Sequence, residues 1–89
     1  MNILPLLAEF IGTFALLAAI LFTGNWLVIG LTLAGIIFAI GNISGGHVNP
    51  AVSIALYLRG GLSLTEMLTY SLAQILGAVA SLYTYSYLA

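Results

Sequence analysis

The sequence predicts an all-α membrane protein with three transmembrane helices plus one re-entrant half-helix in 89 residues. Composition is the first observation behind this. The chain is 63% hydrophobic and 3% charged, with a mean hydropathy of +1.25, whereas soluble domains are about one quarter charged. The second is three apolar stretches long enough to cross a bilayer. The third is the segment Gly45-Gly46-His47-Val48-Asn49-Pro50-Ala51-Val52-Ser53 lodged among them. Asn49-Pro50 reads as a helix start: Asn is a favoured N-cap, and Pro suits the first helical position because it lacks the N–H that would go unpaired there. That helix runs from about Pro50 to Leu58, where Arg59-Gly60-Gly61 stops it. At about 1.5 Å per residue it covers roughly half the hydrocarbon thickness. Non-helical backbone at that depth is tolerated only inside protein or along a water-filled cavity.

Taken in order, the first span covers about residues 4–22, with Pro5 in an early turn that accepts it. Thr23-Gly24-Asn25 is a turn signal, and Trp26 follows where an interfacial ring is favoured. The second span covers about 27–43 and ends in Ser44-Gly45-Gly46. After the half-helix at 50–58, a short polar connection leads to the third span at about 65–87. Thr65 or Ser63 can cap that span, and Glu66 lies in its first turn, where negative charge is favoured. Tyr83, Tyr85 and Tyr87 crowd its far end as an aromatic belt would. The N-terminus lacks the positive flank and cleavage site of a signal peptide, so residues from Leu4 onward are expected in the mature protein.

The charged and polar residues exclude several function classes. There is no cysteine, hence no disulfide framework and no cysteine-based metal or redox site. No basic patch exists for nucleic acid. No arrangement of nucleophile, base and cofactor residues suggests an enzyme, and neither a metal nor a cofactor is expected. Glu9, His47, Arg59 and Glu66 are the ionisable residues expected to matter. Glu9 lies inside a span, where a carboxylate is costly and needs a partner. Small residues recur at helical spacing in Ala8-xxx-Gly12, Gly30-xxx-Ala34, Gly35-xxx-Ala39 and Ala73-xxx-Gly77-xxx-Ser81. Such rows let membrane helices approach closely, so a tightly packed bundle is expected.

These residues resemble a family. Ala8-Glu9-Phe10-Ile11-Gly12-Thr13-Phe14 is similar to the opening of the first helix in aquaporins, the major intrinsic proteins. Gly41 to Ser53 resembles their first NPA loop, and Tyr70-Ser71-Leu72-Ala73-Gln74-Ile75-Leu76-Gly77-Ala78 resembles their third helix. The motifs keep the family's order and spacing over nearly the whole chain. The likeness is to the N-terminal repeat alone, so residues 1–89 read as a single half repeat.

The resemblance implies a channel for water, with small neutral solutes such as glycerol as further candidates. In the family the pore lies between two inverted repeats whose NPA half-helices meet at the midplane. A second half repeat is therefore expected as partner, either another polypeptide or an inverted copy of this chain, with a higher oligomer also open. Orientation follows Lys and Arg in short loops. Arg59 is the one such residue here, so dual topology is plausible. The resemblance places Asn49, Pro50 and Ala51 at the pore, Gly46 and His47 along it, and Glu9 and Gln74 in support of the loop. Ile29 and Val52 fall at filter positions, where family members often carry an aromatic and, in the second repeat, an Arg. An inverted homodimer would have an apolar, wider constriction without a fixed cation. The expected location is a cell or inner membrane, multi-pass. Two other readings stand beside this one: a dual-topology, proton-coupled small exporter built on Glu9, and a non-conducting membrane assembly module.

Overall fold

The computed structural model describes residues 2–89 as four helices joined by tight connections. Helix α1 (Leu4–Thr23) carries Pro5 in its first turn, and Asn2 Oδ1 accepts the Leu4 N–H at 3.0 Å. It stops at Gly24, whose N–H closes onto the Ile20 carbonyl. Asn25, read from sequence only as part of a turn, is the N-cap of α2 (Trp26–Ser44); its side-chain oxygen accepts the N–H groups of Leu27 and Val28, both at 3.0 Å. Helix α3 (Pro50–Leu58) is the short one, capped by Asn49. Helix α4 (Leu64–Leu88) opens on a reciprocal cap. Ser63, rather than Thr65, accepts the Glu66 N–H at 3.1 Å, while Glu66 Oε1 accepts the Ser63 N–H at 2.9 Å.

By length and composition α1 and α4 can each cross a membrane. The apolar part of α2 is shorter, Trp26–Ile40, because Gly41, Asn42 and Ser44 interrupt its last turns. The nine residues of α3 rise only about 13 Å.

The longest contact is between α1 and α4; α2 packs on α1, and α3 packs on α4. Small residues set the α1–α4 distance. A Cβ at Gly77 would meet backbone, 3.3 Å from the Phe14 nitrogen and closer still to the Phe10 oxygen. One turn further on, the Ser81 hydroxyl donates to the Phe14 carbonyl at 2.9 Å. Gly12, on α1, leaves room for Val48 and Ile40. The rows on α2 behave differently: Gly30 and Gly35 face open space within this chain. The expected tight packing therefore holds for α1 and α4 but not for the small residues of α2.

The interior is polar and the exterior apolar. The largest fully buried side chains are Gln74, Glu9, Thr13, Ser53 and Ser81, while Phe38 is 91% exposed and Trp26 81% exposed. A soluble protein sorts its residues the other way. Here the hydrophobic surface suits lipid or a partner, and the interior exists to hold polar groups.

Candidate functional site

The loop from Gly45 to Asn49 reverses the chain between α2 and α3 and is built around one carboxylate. Glu9 projects from α1 and is 0% exposed. Its Oε2 accepts the Ser44 hydroxyl at 2.6 Å and the His47 N–H at 3.1 Å. Its Oε1 accepts the Val48 N–H at 2.7 Å and the Gln74 side-chain N–H at 2.7 Å. Four donors thus come from the end of α2, the loop and α4. Among the described residues no cation joins them, and the chain's one Lys or Arg, Arg59, is exposed. Burying an unpaired charge is expensive, and charge-assisted hydrogen bonds are what can offset it.

These bonds hold backbone that would not otherwise stay in place. Val48 is buried with a φ of +45°, a left-handed conformation strained for a β-branched residue. Its N–H on Glu9 and its side chain against Gly12 keep it there. Gly46 has a φ of +64°, and a Cβ there would come within 3.2 Å of the Ile37 backbone. Only glycine meets both conditions easily.

A second layer ties α3 to the same carboxylate. Gln74 gives its other N–H to Ser53 Oγ at 2.9 Å. The single Ser53 hydroxyl hydrogen has two long options, Gln74 Oε1 and His47 Nδ1, both at 3.4 Å. The Tyr70 hydroxyl donates to the Ser44 carbonyl at 2.9 Å, taking one of the acceptors left free at the end of α2. Its ring lies 5.0 Å from that of His47.

The structure brings Glu9, Gly46, His47, Asn49, Pro50 and Gln74 into one region and leaves Ile29 apart. Asn49 is exposed at the tip of α3; its Oδ1 accepts the Ala51 N–H at 2.9 Å, and its amide N–H groups donate to no described residue. Pro50 and Ala51 form the first turn of α3, and Val52 is partly exposed beside them. Ile29 sits near the start of α2, which does not pack against α3. One chain therefore does not bring Ile29 and Val52 together. The tip of α3 opens into a groove of about 360 Å³. Its walls are Thr13, Leu16, Leu17 and Ile20 on α1 and Gln74, Ile75, Ala78 and Val79 on α4.

Sequence reasoning assigned no role to Ser44, Ser53, Tyr70 or Thr13. Ser53 could have been found as the one serine inside the apolar half-helix. Thr13 could have been found by its place one turn after Glu9 on the same face of α1.

The chain is similar in sequence to known proteins. The family model of the major intrinsic protein matches residues 18–88. Aquaporin Z of Brucella melitensis biotype 1 is 44% identical over 89 aligned positions, covering 83% of this chain and 39% of the relative. Aquaporin Z of Photorhabdus laumondii is 37% identical, covering 83% of this chain and 38% of the relative. The lens fiber major intrinsic protein of Gallus gallus is 49% identical over 57 positions, covering 64% of this chain and 22% of that protein. The chain thus spans about two fifths of the length of the aquaporin Z relatives it matches. It belongs to the major intrinsic protein family.

Proposed function

We propose that this chain is one half of a membrane channel for water, with small neutral solutes such as glycerol as further cargo. The channel forms when two half repeats pair in inverted orientation with their α3 tips opposed. The observation that carries the reading is the tip of α3. Asn49 spends its side-chain oxygen on the helix cap and keeps its amide N–H groups exposed, beside a groove that continues between α1 and α4. An amide held this way donates to a passing oxygen. The helix end behind it adds positive potential, which opposes protons and cations but not a neutral molecule.

Pairing with an inverted copy is supported by what one chain leaves uncovered. Helix α3 is too short to span, its residues Ala51, Ile54, Ala55 and Leu58 are exposed, and the small residues of α2 lack neighbours. A single exposed Arg59 gives little orientational bias, so both insertions are open. Ile29 of one copy and Val52 of the other would then form an apolar constriction without a fixed cation. The working location is a multi-pass position in a cell or inner membrane. The saturation of Glu9 by four hydrogen bonds weighs against proton-coupled export, which needs a carboxylate that cargo can reach.

Stopped-flow light scattering on proteoliposomes containing only this chain tests the proposal. Water flux above that of empty vesicles, with cysteine labelling at both membrane faces, is the expected result. Flux equal to that of empty vesicles rejects a channel made by this chain alone. Labelling that finds every N-terminus on one side rejects the inverted homodimer.

A further inference from the structure

The seam between α1 and α4 has a second groove, which shares no wall residue with the groove at the tip of α3. It consists of two cavities, of about 260 and 270 Å³, that meet at Leu6 and Thr69. The first is a polar mouth at the starts of α1 and α4, walled by Asn2, Thr65, Glu66 and Tyr70 among others. The second is an apolar furrow with Leu7 and Phe10 on α1 and Leu72 and Leu76 on α4. It follows α4 from Thr69 to Leu76, about 10 Å by helical rise. Where α1 and α4 cross a bilayer, their starts lie at its interface, so the groove runs from headgroup level into the hydrocarbon. Polar first and apolar below is the order of a lipid.

The polar groups of the mouth divide into spent and unspent. The Tyr70 hydroxyl donates to the Ser44 carbonyl, and the Thr69 hydroxyl to the carbonyls of Thr65 and Glu66. Glu66 gives Oε1 to the Ser63 N–H, and among the described residues no donor takes its Oε2. Asn2 spends its Oδ1 on the Leu4 N–H, which leaves its amide N–H groups. The Thr65 hydroxyl likewise has no partner among the described residues. We propose that this groove binds one phospholipid with an ethanolamine headgroup: the ammonium on Glu66, the phosphate on Asn2 and Thr65, and one acyl chain in the furrow.

Charge selects the headgroup. Glu66 is the one charged residue in the wall of the mouth and calls for a cation. The starts of α1 and α4 border the same cavity, and their positive dipole ends favour a phosphate. A zwitterion answers both. An ethanolamine ammonium also brings three N–H donors to the carboxylate, whereas a choline head has none. A glycerol headgroup carries no cation and leaves its phosphate charge uncompensated beside Glu66. The furrow selects the rest. A helix about 10–12 Å across fills 270 Å³ within about two residues of its rise, so a second copy of α1 or α4 does not enter the furrow, while an acyl chain does.

Native mass spectrometry of the whole chain in detergent tests this, with dioleoyl lipids of ethanolamine, choline or glycerol headgroup added in turn. The first ethanolamine lipid is expected to bind about fivefold more tightly than either of the others, the worth of one net hydrogen bond. Glu66→Gln removes the charge but keeps an acceptor for the Ser63 N–H, since Gln serves the same cap. It is expected to level the ethanolamine and choline affinities with the melting temperature unchanged. Leu72→Trp, at an exposed position of the furrow, is expected to weaken all three lipids. Soluble phosphoethanolamine, which lacks the acyl chains, is expected not to displace the ethanolamine lipid. Equal affinity of wild type for the three lipids overturns the proposal, as does an ethanolamine preference that survives Glu66→Gln. Displacement by phosphoethanolamine would mark a site for a soluble amine. A Leu72→Trp chain that loses dimer but no lipid would give the furrow to a second copy. Either result overturns the lipid site as well.

Discussion

The seam between α1 and α4 and the outward faces of α2 and α3 are written in the same residues but put to different use. In the seam, Gly77 and Ser81 are buried, and helix meets helix at backbone distance. On α2, Gly30 and Gly35 recur at similar spacing yet touch nothing in this chain. Polar groups follow the same division. Near the seam, Glu9, Ser44, Ser53 and Gln74 satisfy one another. At the tip of α3 the Asn49 amide remains uncommitted. A small-residue row therefore says that a face permits close approach, not what approaches it. A saturated polar cluster marks scaffolding, and unspent donors beside it mark a surface built for something else.

The largest expected effect breaks the seam at its carboxylate. Glu9→Ala leaves four donors without an acceptor, each costing about 1 kcal/mol or more, so a loss of roughly 4 kcal/mol is expected. Thermal unfolding in detergent measures it. Glu9→Gln, which keeps one acceptor oxygen, should fall between wild type and Glu9→Ala and retain part of any water flux. A Glu9→Ala chain as stable as wild type would show that the loop holds itself.

The next effect compares two glycines directly. Gly77→Ala drives a Cβ into the backbone of α1, and the helices must part at a cost of about 1–3 kcal/mol. Gly35→Ala places the same methyl in open space and replaces a poor helix former with the best one, a gain of up to about 1 kcal/mol. Opposite shifts in melting temperature are expected for the two variants. Shifts of the same sign would mean that the two rows do not differ as the structure places them.

The smallest effect sharpens the reading of α2 as a partner face. Gly35→Leu should leave the unfolding of the isolated chain within about 0.5 kcal/mol of wild type, since it is a surface change. If α2 meets a second half, the same variant should lower the yield of crosslinked dimer in bilayers. An unchanged yield would remove α2 from the interface.

Much of the fold could be read from local rules. Asn49-Pro50 marks the start of α3 because side-chain capping and the missing Pro N–H act within one turn. The polar connection before α4 offered two caps, and Ser63 is the one used because Glu66 reaches back to its N–H. Asn25 was missed as a cap because the same residue type also signals an ordinary turn. The cost of a carboxylate in a membrane span made it plain that Glu9 needs partners, but their identity depends on residues 35 to 65 positions away.

By itself, then, the sequence determined that this chain is apolar, helical and interrupted by a capped half-helix. Those properties follow from composition, periodicity and short-range hydrogen bonding. Only the tertiary structure decided which small residues lie in a seam and which lie open, because spacing along one helix carries no record of its neighbour. Only it decided that Glu9 is shared among Ser44, His47, Val48 and Gln74, that Val48 is held in a left-handed conformation, and that Thr13 is left without a partner. Each of these depends on where separate helices cross, and crossing geometry is set by the packing of the whole chain.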